Sequence, residues 1–150
     1  MTRSGIAALI LLGAVATASA APHCYKASEI EADQAVRYQA KLMVLSDSCR
    51  SNSYSEFLHR NAEVIRTYQH QLIDYFRRIN GHRPEDAFDR FLTRIANQIS
   101  LATGQVPLDT LCGKSADFLA QAVNFGKEEF RHFVARQAAE EHKSYRSCAE

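Results

Sequence analysis

Apolar residues recur at steps of three and four positions in four separate segments of the chain, and this spacing predicts four α-helices. The predicted helices span residues 28–48, 54–79, 84–102 and 115–147. In the first of them, Ile30, Tyr38, Leu42 and Leu45 fall on one stripe. No segment has the convincing alternation of a half-buried strand. The pattern therefore predicts an all-α fold.

Capping and breaking residues mark the ends of these helices. Ser28 with Glu31, and Ser53 with Glu56, have the spacing of capping boxes. Pro84 suits the first position of the third helix. The connections between consecutive helices are short, which favours antiparallel neighbours. We therefore predict an up-down-up-down four-helix bundle.

Two residues on the inner helix faces are unusual. Asn61 lies among apolar residues of the second helix, so it needs a hydrogen-bond partner if it is buried. Gly126 lies on the inner face of the fourth helix, where it either allows a close helix contact or marks a bend. The segment 104–108 is predicted as a loop, with room for a short turn at 109–112 before the fourth helix.

The first twenty residues have the three parts of a signal peptide. Arg3 supplies positive charge, residues 6–16 are apolar or glycine, and Ala18-Ser19-Ala20 has the small-x-small form that signal peptidase cleaves. The apolar run is shorter than the roughly 20 residues that span a bilayer. We therefore predict a cleaved signal peptide over 1–20 and a single helical domain over 21–150. The mature protein is expected in the periplasm without membrane insertion, and secretion remains open.

Composition and charge narrow the function. A chain of 150 residues that is 46% hydrophobic and 23% charged fits one globular domain. The chain has 18 basic and 17 acidic residues, and removal of Arg3 with the signal peptide leaves 17 of each. A protein without net charge has no general electrostatic attraction to DNA, RNA or anionic lipid. A nucleic-acid partner is therefore not expected.

The four cysteines predict two disulfides, because an exported protein meets an oxidising compartment and no C-x-x-C spacing is present. Cys24 and Cys49 flank the first helix, whose ends lie about 30 Å apart, far beyond the roughly 7 Å that a disulfide allows. Cys112 and Cys148 are separated in the same way by the fourth helix. In the predicted bundle, Cys24 shares one end with Cys148, and Cys49 shares the other with Cys112. We therefore predict the pairs Cys24–Cys148 and Cys49–Cys112.

Two Glu-x-x-His pairs, Glu56 with His59 and Glu129 with His132, suggest a di-iron site at first sight. Such ligands must point into the bundle, whereas both histidines fall about 135–155° from the centre of the apolar face of their helix. The two pairs also differ in height by about 20 Å. Covalent haem attachment would need C-x-x-C-H, which the sequence lacks. We therefore expect no metal and no cofactor.

No catalytic motif is present: the sequence has neither a G-x-S-x-G elbow nor a Gly-rich phosphate loop. No catalytic residue is assigned, and a non-catalytic role is favoured, although acid and base groups that meet only in space stay open. Arg77, Arg78, His82 and Arg83 cluster at the turn after the second helix. We interpret this cluster as a solvated helix end, with an anionic partner surface as the alternative.

Several short motifs occur between residues 35 and 115. They are Leu42-Met43-Val44, Cys49, Tyr54, Phe57, Tyr75-Phe76-Arg77-Arg78, Thr93, Ala96-Asn97 and Cys112. In these motifs the chain resembles a group of small uncharacterised exported helical proteins of Gram-negative bacteria. The resemblance implies periplasmic export and supports the Cys49–Cys112 pairing, and it carries no activity to transfer. Cys24 and Cys148 fall outside it, so their pairing rests on helix geometry alone.

Two functional hypotheses follow. The first is a non-catalytic protein that binds or assists an envelope protein. It predicts an exposed apolar strip near Leu101, which falls outside the inner face of the third helix. The alternative is a carrier of a small ligand or cofactor, which requires a cavity in the bundle with convergent polar groups. An enzyme would require titratable residues clustered in a cleft, and the oligomeric state stays open.

Overall fold

The computed structural model describes residues 23–149, and the predicted signal peptide lies outside them. Five α-helices follow one another: α1 (Ala27–Ser48), α2 (Ser53–Asn80), α3 (Pro84–Thr103), α4 (Leu108–Asn124) and α5 (Lys127–Glu141), with a 3-10 turn at His142–Ser144. Among these residues, the β-type pairing is limited to an isolated bridge between Tyr25 and Ser147. The all-α prediction is therefore confirmed for this part of the chain. None of the described helices has the length and apolar character needed to cross a membrane.

The predicted fourth helix, 115–147, is wrong, because two helices occupy this part of the chain. α4 begins at Leu108, inside the predicted loop, and ends at Asn124. Phe125 and Gly126 then have extended backbone, with ψ angles of 121° and 176°, before α5 begins. The described residues therefore form five helices instead of four. Of the two roles predicted for Gly126, the structure shows the bend.

The apolar pattern of the sequence does not reveal this break, because α4 and α5 both turn their apolar residues towards the core. The buried positions are Leu119, Ala122, Phe125, Phe130, Val134 and Ala138. Asn61 of α2 faces the break and is fully buried. Its Nδ2 donates to the carbonyl oxygens of Phe57 and Phe125, each at 3.1 Å. The hydrogen-bond partner that Asn61 was expected to need is therefore the backbone of α2 and of the break.

The ends of α1, α2 and α3 agree with the predictions to within one residue, but the capping residues differ. α1 begins after Lys26, whose backbone N–H donates to the carboxylate of Glu29 at 2.8 Å. The predicted capping box of Ser28 and Glu31 is therefore wrong, because both residues lie inside the helix. At α2, Ser53 is likewise the first helical residue and not the cap.

α1 is the central helix, since each of the other four helices packs against it. Its predicted apolar stripe of Ile30, Tyr38, Leu42 and Leu45 is buried, with Ala35 next to Leu42 on the same side. Ala32 and Ala40, on the opposite side of α1, are buried too. α3, in contrast, packs on α1 and α2 and hardly contacts α4 or α5.

Two cysteine pairs lie at disulfide distance. The Sγ atoms are 1.93 Å apart in Cys24–Cys148 and 2.05 Å apart in Cys49–Cys112. These are the two pairs that the helix geometry predicts. The first joins the two ends of the described chain beside the Tyr25–Ser147 bridge. The second joins the residue after α1 to the first turns of α4.

Candidate functional site

A surface trough follows the second half of α1. It is bordered by α3 and, in its central part, by residues 51–52 and the first turn of α2, with Ser100 as the lining residue from α3. It consists of three adjoining depressions with volumes of about 360, 540 and 290 Å³. The first and second depressions share Met43 and Tyr54, and the second and third share Val44, Ser48 and Ser100. The three therefore form one continuous surface, which we call the α1–α3 trough.

The packing of α3 explains why the trough is open. Because α3 hardly contacts α4 or α5, no helix of the described chain covers its seam with α1. Ala40 of α1 and Ala96 of α3 line the first depression, and their small side chains leave space above them. Tyr54 in the first turn of α2 closes one side of the trough, and Leu108 and Leu111 of α4 close its far end.

Hydrogen bonds position the polar side chains of the first depression. Gln39 donates from Nε2 to the hydroxyl of Tyr54, and Gln69 donates from Nε2 to Oε1 of Gln39, both at 3.2 Å. Thr93 and Asn97 of α3 line the same depression and are exposed. The depression therefore combines amide and hydroxyl groups with apolar walls, which is the composition of a binding cleft.

Exposed apolar side chains follow the trough. Within residues 23–149, the exposed large hydrophobic side chains are Met43, Leu101 and Leu108, with exposed fractions of 40%, 71% and 58%. Met43 lines the first two depressions and Leu108 lines the third. Leu101 directly follows Ser100 in α3 and lines none of the three depressions. Its exposure agrees with its position outside the inner face of α3, and an apolar strip around it stays a prediction.

The trough carries one charged group, the carboxylate of Asp47. The other side chains that line the three depressions are apolar, hydroxyl or amide groups. Asp47 lines the central depression and is exposed. It lies in the last turn of α1, where no basic residue accompanies it. Asp47 is therefore the charged residue among the side chains that line the three depressions.

None of the four residues of the two Glu-x-x-His pairs lines the three depressions of the trough. All four side chains, Glu56, His59, Glu129 and His132, are exposed. Within residues 23–149, no three His, Cys, Asp or Glu side chains come together as a metal site would require. The structure therefore does not bring these residues into one site.

The basic cluster after α2 is neutralised by carboxylates. The ion pairs are Arg77 with Asp74 and Glu85, Arg78 with Glu29, and Arg83 with Asp86. His82 is exposed at the same turn. Acidic partners beside each of the three arginines favour the interpretation as a solvated helix end over an anionic partner surface. We assign no site to this cluster.

A buried carboxylate lies near the Cys24–Cys148 end of the molecule. Asp33 is fully buried, and its Oδ2 accepts hydrogen bonds from Nε of Arg37 at 2.6 Å and from the hydroxyl of Tyr145. Burial, and then the neighbouring carboxylate, raise the pKa of Tyr145 to about 12. Tyr145 therefore stays protonated at neutral pH and joins the segment after α5 to α1.

Most of the trough could not be identified from the sequence. Five residues of the resemblance motifs line its first depression: Met43, Tyr54, Thr93, Ala96 and Asn97. As single motif residues they are ordinary helical positions. The signal that could have shown the site is a face of small and polar residues on α3, in which Thr93, Ala96, Asn97 and Ser100 follow at three- and four-residue steps.

Comparisons with known proteins do not assign a relative. A scan against protein-family models, a search of curated proteins and a search of solved structures each find no match to this chain. The fold and the trough by themselves define the class: an all-helical, disulfide-paired protein with an uncovered and nearly uncharged cleft.

Proposed function

We propose that this chain is an exported, non-catalytic protein that binds an envelope protein through the α1–α3 trough. The observation that carries the proposal is the clustering of exposed apolar side chains. Two of the exposed large hydrophobic side chains of residues 23–149, Met43 and Leu108, line the trough, and the third, Leu101, directly follows the lining residue Ser100 in α3. Single exposed apolar residues need no explanation, whereas an apolar cluster beside a cleft is typical of an interaction surface.

The lining of the trough supports binding over catalysis. The titratable side chains that line the depressions are Asp47 and Tyr54, and the hydroxyl of Tyr54 already accepts a hydrogen bond from Gln39. The remaining groups offer apolar contact and neutral hydrogen bonds. Such groups hold a partner, whereas general acid–base catalysis needs a group positioned to transfer a proton.

The proposal places the mature chain in the periplasm, after cleavage behind Ala20. Two cysteine pairs at disulfide distance fit an oxidising compartment. The resemblance to exported helical proteins points the same way. Protein isolated from the periplasm should begin at Ala21 and weigh four hydrogens less than the reduced mature chain. An unprocessed N-terminus or four free thiols would contradict this part of the proposal.

We also propose that the helices keep the up-down-up-down course, with α4 and α5 together in the place of the fourth helix. Residues of α1 and of α3 both rise in number from the first depression to the third, which supports a parallel arrangement of these two helices. An experimental structure with the polarity of each helix assigned tests this arrangement.

Photocrosslinking in the host periplasm tests the proposed function. A benzophenone side chain is introduced at Asn97 inside the trough, at Leu101 on its flank and, as the control, at the exposed Arg66 of α2. We expect an adduct with one envelope protein at Asn97 and Leu101 and none at Arg66. The absence of an adduct at both Asn97 and Leu101, or the same adduct at all three positions, would contradict the proposal.

A carrier of a small ligand is the second candidate. Gln39, Tyr54, Thr93 and Asn97 converge on a cavity of about 360 Å³, and ligand sites usually measure about 300–1,000 Å³. Native mass spectrometry of protein from its own periplasm separates the candidates. A small mass that is retained in the native protein and lost on denaturation would favour the carrier. A bare mass would favour the protein partner.

A further inference from the structure

We infer that the exported chain passes through mispaired disulfides and is therefore a substrate of a thiol–disulfide isomerase, a protein whose reactive thiolate reshuffles disulfides. The inference rests on the export that the proposed function includes, and not on the α1–α3 trough. Three observations support it: the order of the paired cysteines along the chain, the position of the two bridges at opposite ends of α1, and the packing of α1 against helices that follow it in the sequence.

The outer bridge joins the first cysteine of the chain to the last. Cys24 and Cys148 are separated by 124 residues, whereas Cys24 and Cys49 are about 25 residues apart. The probability of closing a flexible loop falls with about the 3/2 power of its length, so an unfolded chain closes Cys24–Cys49 about 11 times as often as Cys24–Cys148. Loop entropy in the unfolded chain therefore favours a pairing that the folded protein does not contain.

Export from the N-terminus adds to the advantage of the wrong pair. Cys24 and Cys49 reach the oxidising compartment before Cys112 and Cys148. When export keeps pace with synthesis at about 5–20 residues per second, the 124 residues that separate Cys24 from Cys148 take about 6–25 s. Disulfides form in seconds or longer, depending on the oxidant. The first two cysteines therefore have time to pair before the native partner of Cys24 arrives.

A complete α1 would prevent this wrong pair, but α1 depends on later parts of the chain. Its 22 residues hold its ends about 33 Å apart, whereas a disulfide needs Cα atoms within about 7 Å. α1 packs against all four other helices, and α3, α4 and α5 follow it by 35 residues or more. Most of the stability of a helix in a protein comes from such packing. The Cys24–Cys49 pairing therefore stays open until these helices have been exported.

In the folded protein, the native pairing is protected from attack. Cys24 is 5% exposed, so an attacking thiolate has little access to it. Its carbonyl oxygen accepts a hydrogen bond from Arg78 at 2.9 Å. The backbone of Tyr25 bonds to that of Arg146 at 2.8 Å and to that of Cys148 at 3.0 Å. A mispaired chain cannot complete α1 and lacks this protection, so an isomerase acts on mispaired chains and spares the native protein.

The reshuffling needs no oxidant beyond the one that forms the first bridges. Each bridge forms when two thiols give two electrons and two protons to a disulfide oxidant of the compartment. The isomerase thiolate then attacks Cys24 in the Cys24–Cys49 bridge, forms a mixed disulfide and releases the Cys49 thiolate. That thiolate attacks Cys112 in the Cys112–Cys148 bridge and releases the Cys148 thiolate. The Cys148 thiolate attacks Cys24 in the mixed disulfide and frees the isomerase, so two bridges are broken and two are formed without net oxidation.

Disulfide maps of the chain exported from a host with and without its periplasmic disulfide isomerase test the inference. Free thiols are alkylated at lysis, and each of the four cysteines falls in its own tryptic peptide, so the map identifies every pairing. The matched controls are the double variants Cys24→Ser with Cys148→Ser, and Cys49→Ser with Cys112→Ser. Each keeps one native pair and has no wrong pair to form, and either one serves as the control if the other does not fold.

We expect the unaltered chain to carry mainly native pairs in the host with the isomerase. In the host without it, Cys24–Cys49 should exceed Cys24–Cys148 by a factor of up to about 11, whereas the controls should keep their pair in both hosts. An isomerase that lacks its second active-site cysteine should form a mixed disulfide with the unaltered chain and not with the controls.

Oxidation of the reduced mature chain in concentrated urea tests the loop argument without export. Cys24–Cys49 should form about 11 times as often as Cys24–Cys148. After removal of the urea, purified isomerase should convert this product to the native pairs, and the product should stay mispaired without a thiol. Equal amounts of the two pairs in urea, or conversion without a thiol, would contradict the inference.

Two results in the host would also overturn it. One is an unchanged yield of native pairs without the isomerase. The other is an equal loss for the unaltered chain and the controls, because the isomerase would then act on something other than pairing. Failure of the proposed function is measured separately: the adducts at Asn97 and Leu101 test the trough in the folded protein, and the mature N-terminus tests export.

Discussion

The break between α4 and α5 depends on Asn61 of α2. Phe125 lies outside both helices, so its carbonyl group has no partner within a helix. Asn61 supplies that partner from a fully buried position, and it also donates to the carbonyl of Phe57. We therefore predict that Asn61→Leu destabilises the protein although leucine is similar in size and more apolar.

The magnitude follows from the groups that lose a partner. In Asn61→Leu, the carbonyl of Phe125 becomes a buried acceptor without a donor, which costs about 1–3 kcal/mol. The carbonyl of Phe57 keeps its bond within α2. Leucine also removes the buried Oδ1 of Asn61, which has no partner among the described residues. This gain offsets part of the loss, so we expect a decrease of about 1–2 kcal/mol in the free energy of unfolding.

Asn61→Asp should cost more, because it places a buried carboxylate opposite two carbonyl oxygens. A buried charge without a partner costs about 3–5 kcal/mol. Urea unfolding followed by circular dichroism measures both variants, with the disulfides kept oxidised. The matched control is Asn124→Ala, which removes a hydrogen bond to the carbonyl of Ala120 on an exposed surface and should cost less than about 0.5 kcal/mol. Equal losses in Asn61→Leu and Asn124→Ala would refute the reasoning.

Three further predictions concern the two ends of α1. With Cys49–Cys112 intact, the Cys24–Cys148 bridge closes a loop of about 60 residues. Replacing both Cys24 and Cys148 by serine should therefore lower the free energy of unfolding in urea by about 4 kcal/mol. A decrease below about 1 kcal/mol would contradict this. The pKa of Tyr145 is raised from 10.0 to about 12. Its contribution to the free energy of unfolding is therefore complete below pH 10 and is lost as the pH rises towards 12. Over that pH range, the Tm of Tyr145→Phe should therefore fall less steeply than the Tm of the unaltered protein. Parallel curves of Tm against pH for the two proteins would count against the prediction. Asp47→Asn should raise the free energy of unfolding by about 0.3–1 kcal/mol by relieving the helix dipole, and a decrease would show that the carboxylate stabilises α1.

The first three helices could be predicted because their signals are local. Apolar residues at three- and four-residue steps, Pro84 at the start of α3 and Gly81 after α2 each act on neighbouring residues. Gly81 has a φ angle of 68°, a left-handed conformation that glycine adopts without steric cost. The capping boxes failed because capping depends on where the helix begins, and a shift of one or two residues moves a serine from the cap into the helix.

The break after α4 could not be predicted because its cause is distant in sequence. Phe125 and Gly126 continue the apolar pattern, so periodicity favours one helix through them. The hydrogen bond that holds the carbonyl of Phe125 comes from Asn61, which lies 64 residues earlier in the chain. A polar residue on an apolar helix face indicates that a partner exists, but only the fold identifies that partner.

The trough, like the break between α4 and α5, depends on contacts between segments that are distant in the sequence. Both features follow from the path that the chain takes after α3. Cys49–Cys112 holds the first turns of α4 beside the end of α1, and α4 and α5 then pack on α1 and α2. α3 is thereby left with two neighbours, and the small residues Ala40 and Ala96 face a space that no described helix fills. The apolar stripe of α3 does not encode this outcome, because α1 and α2 bury it, and the local sign of the trough in α3 is its face of small and polar residues.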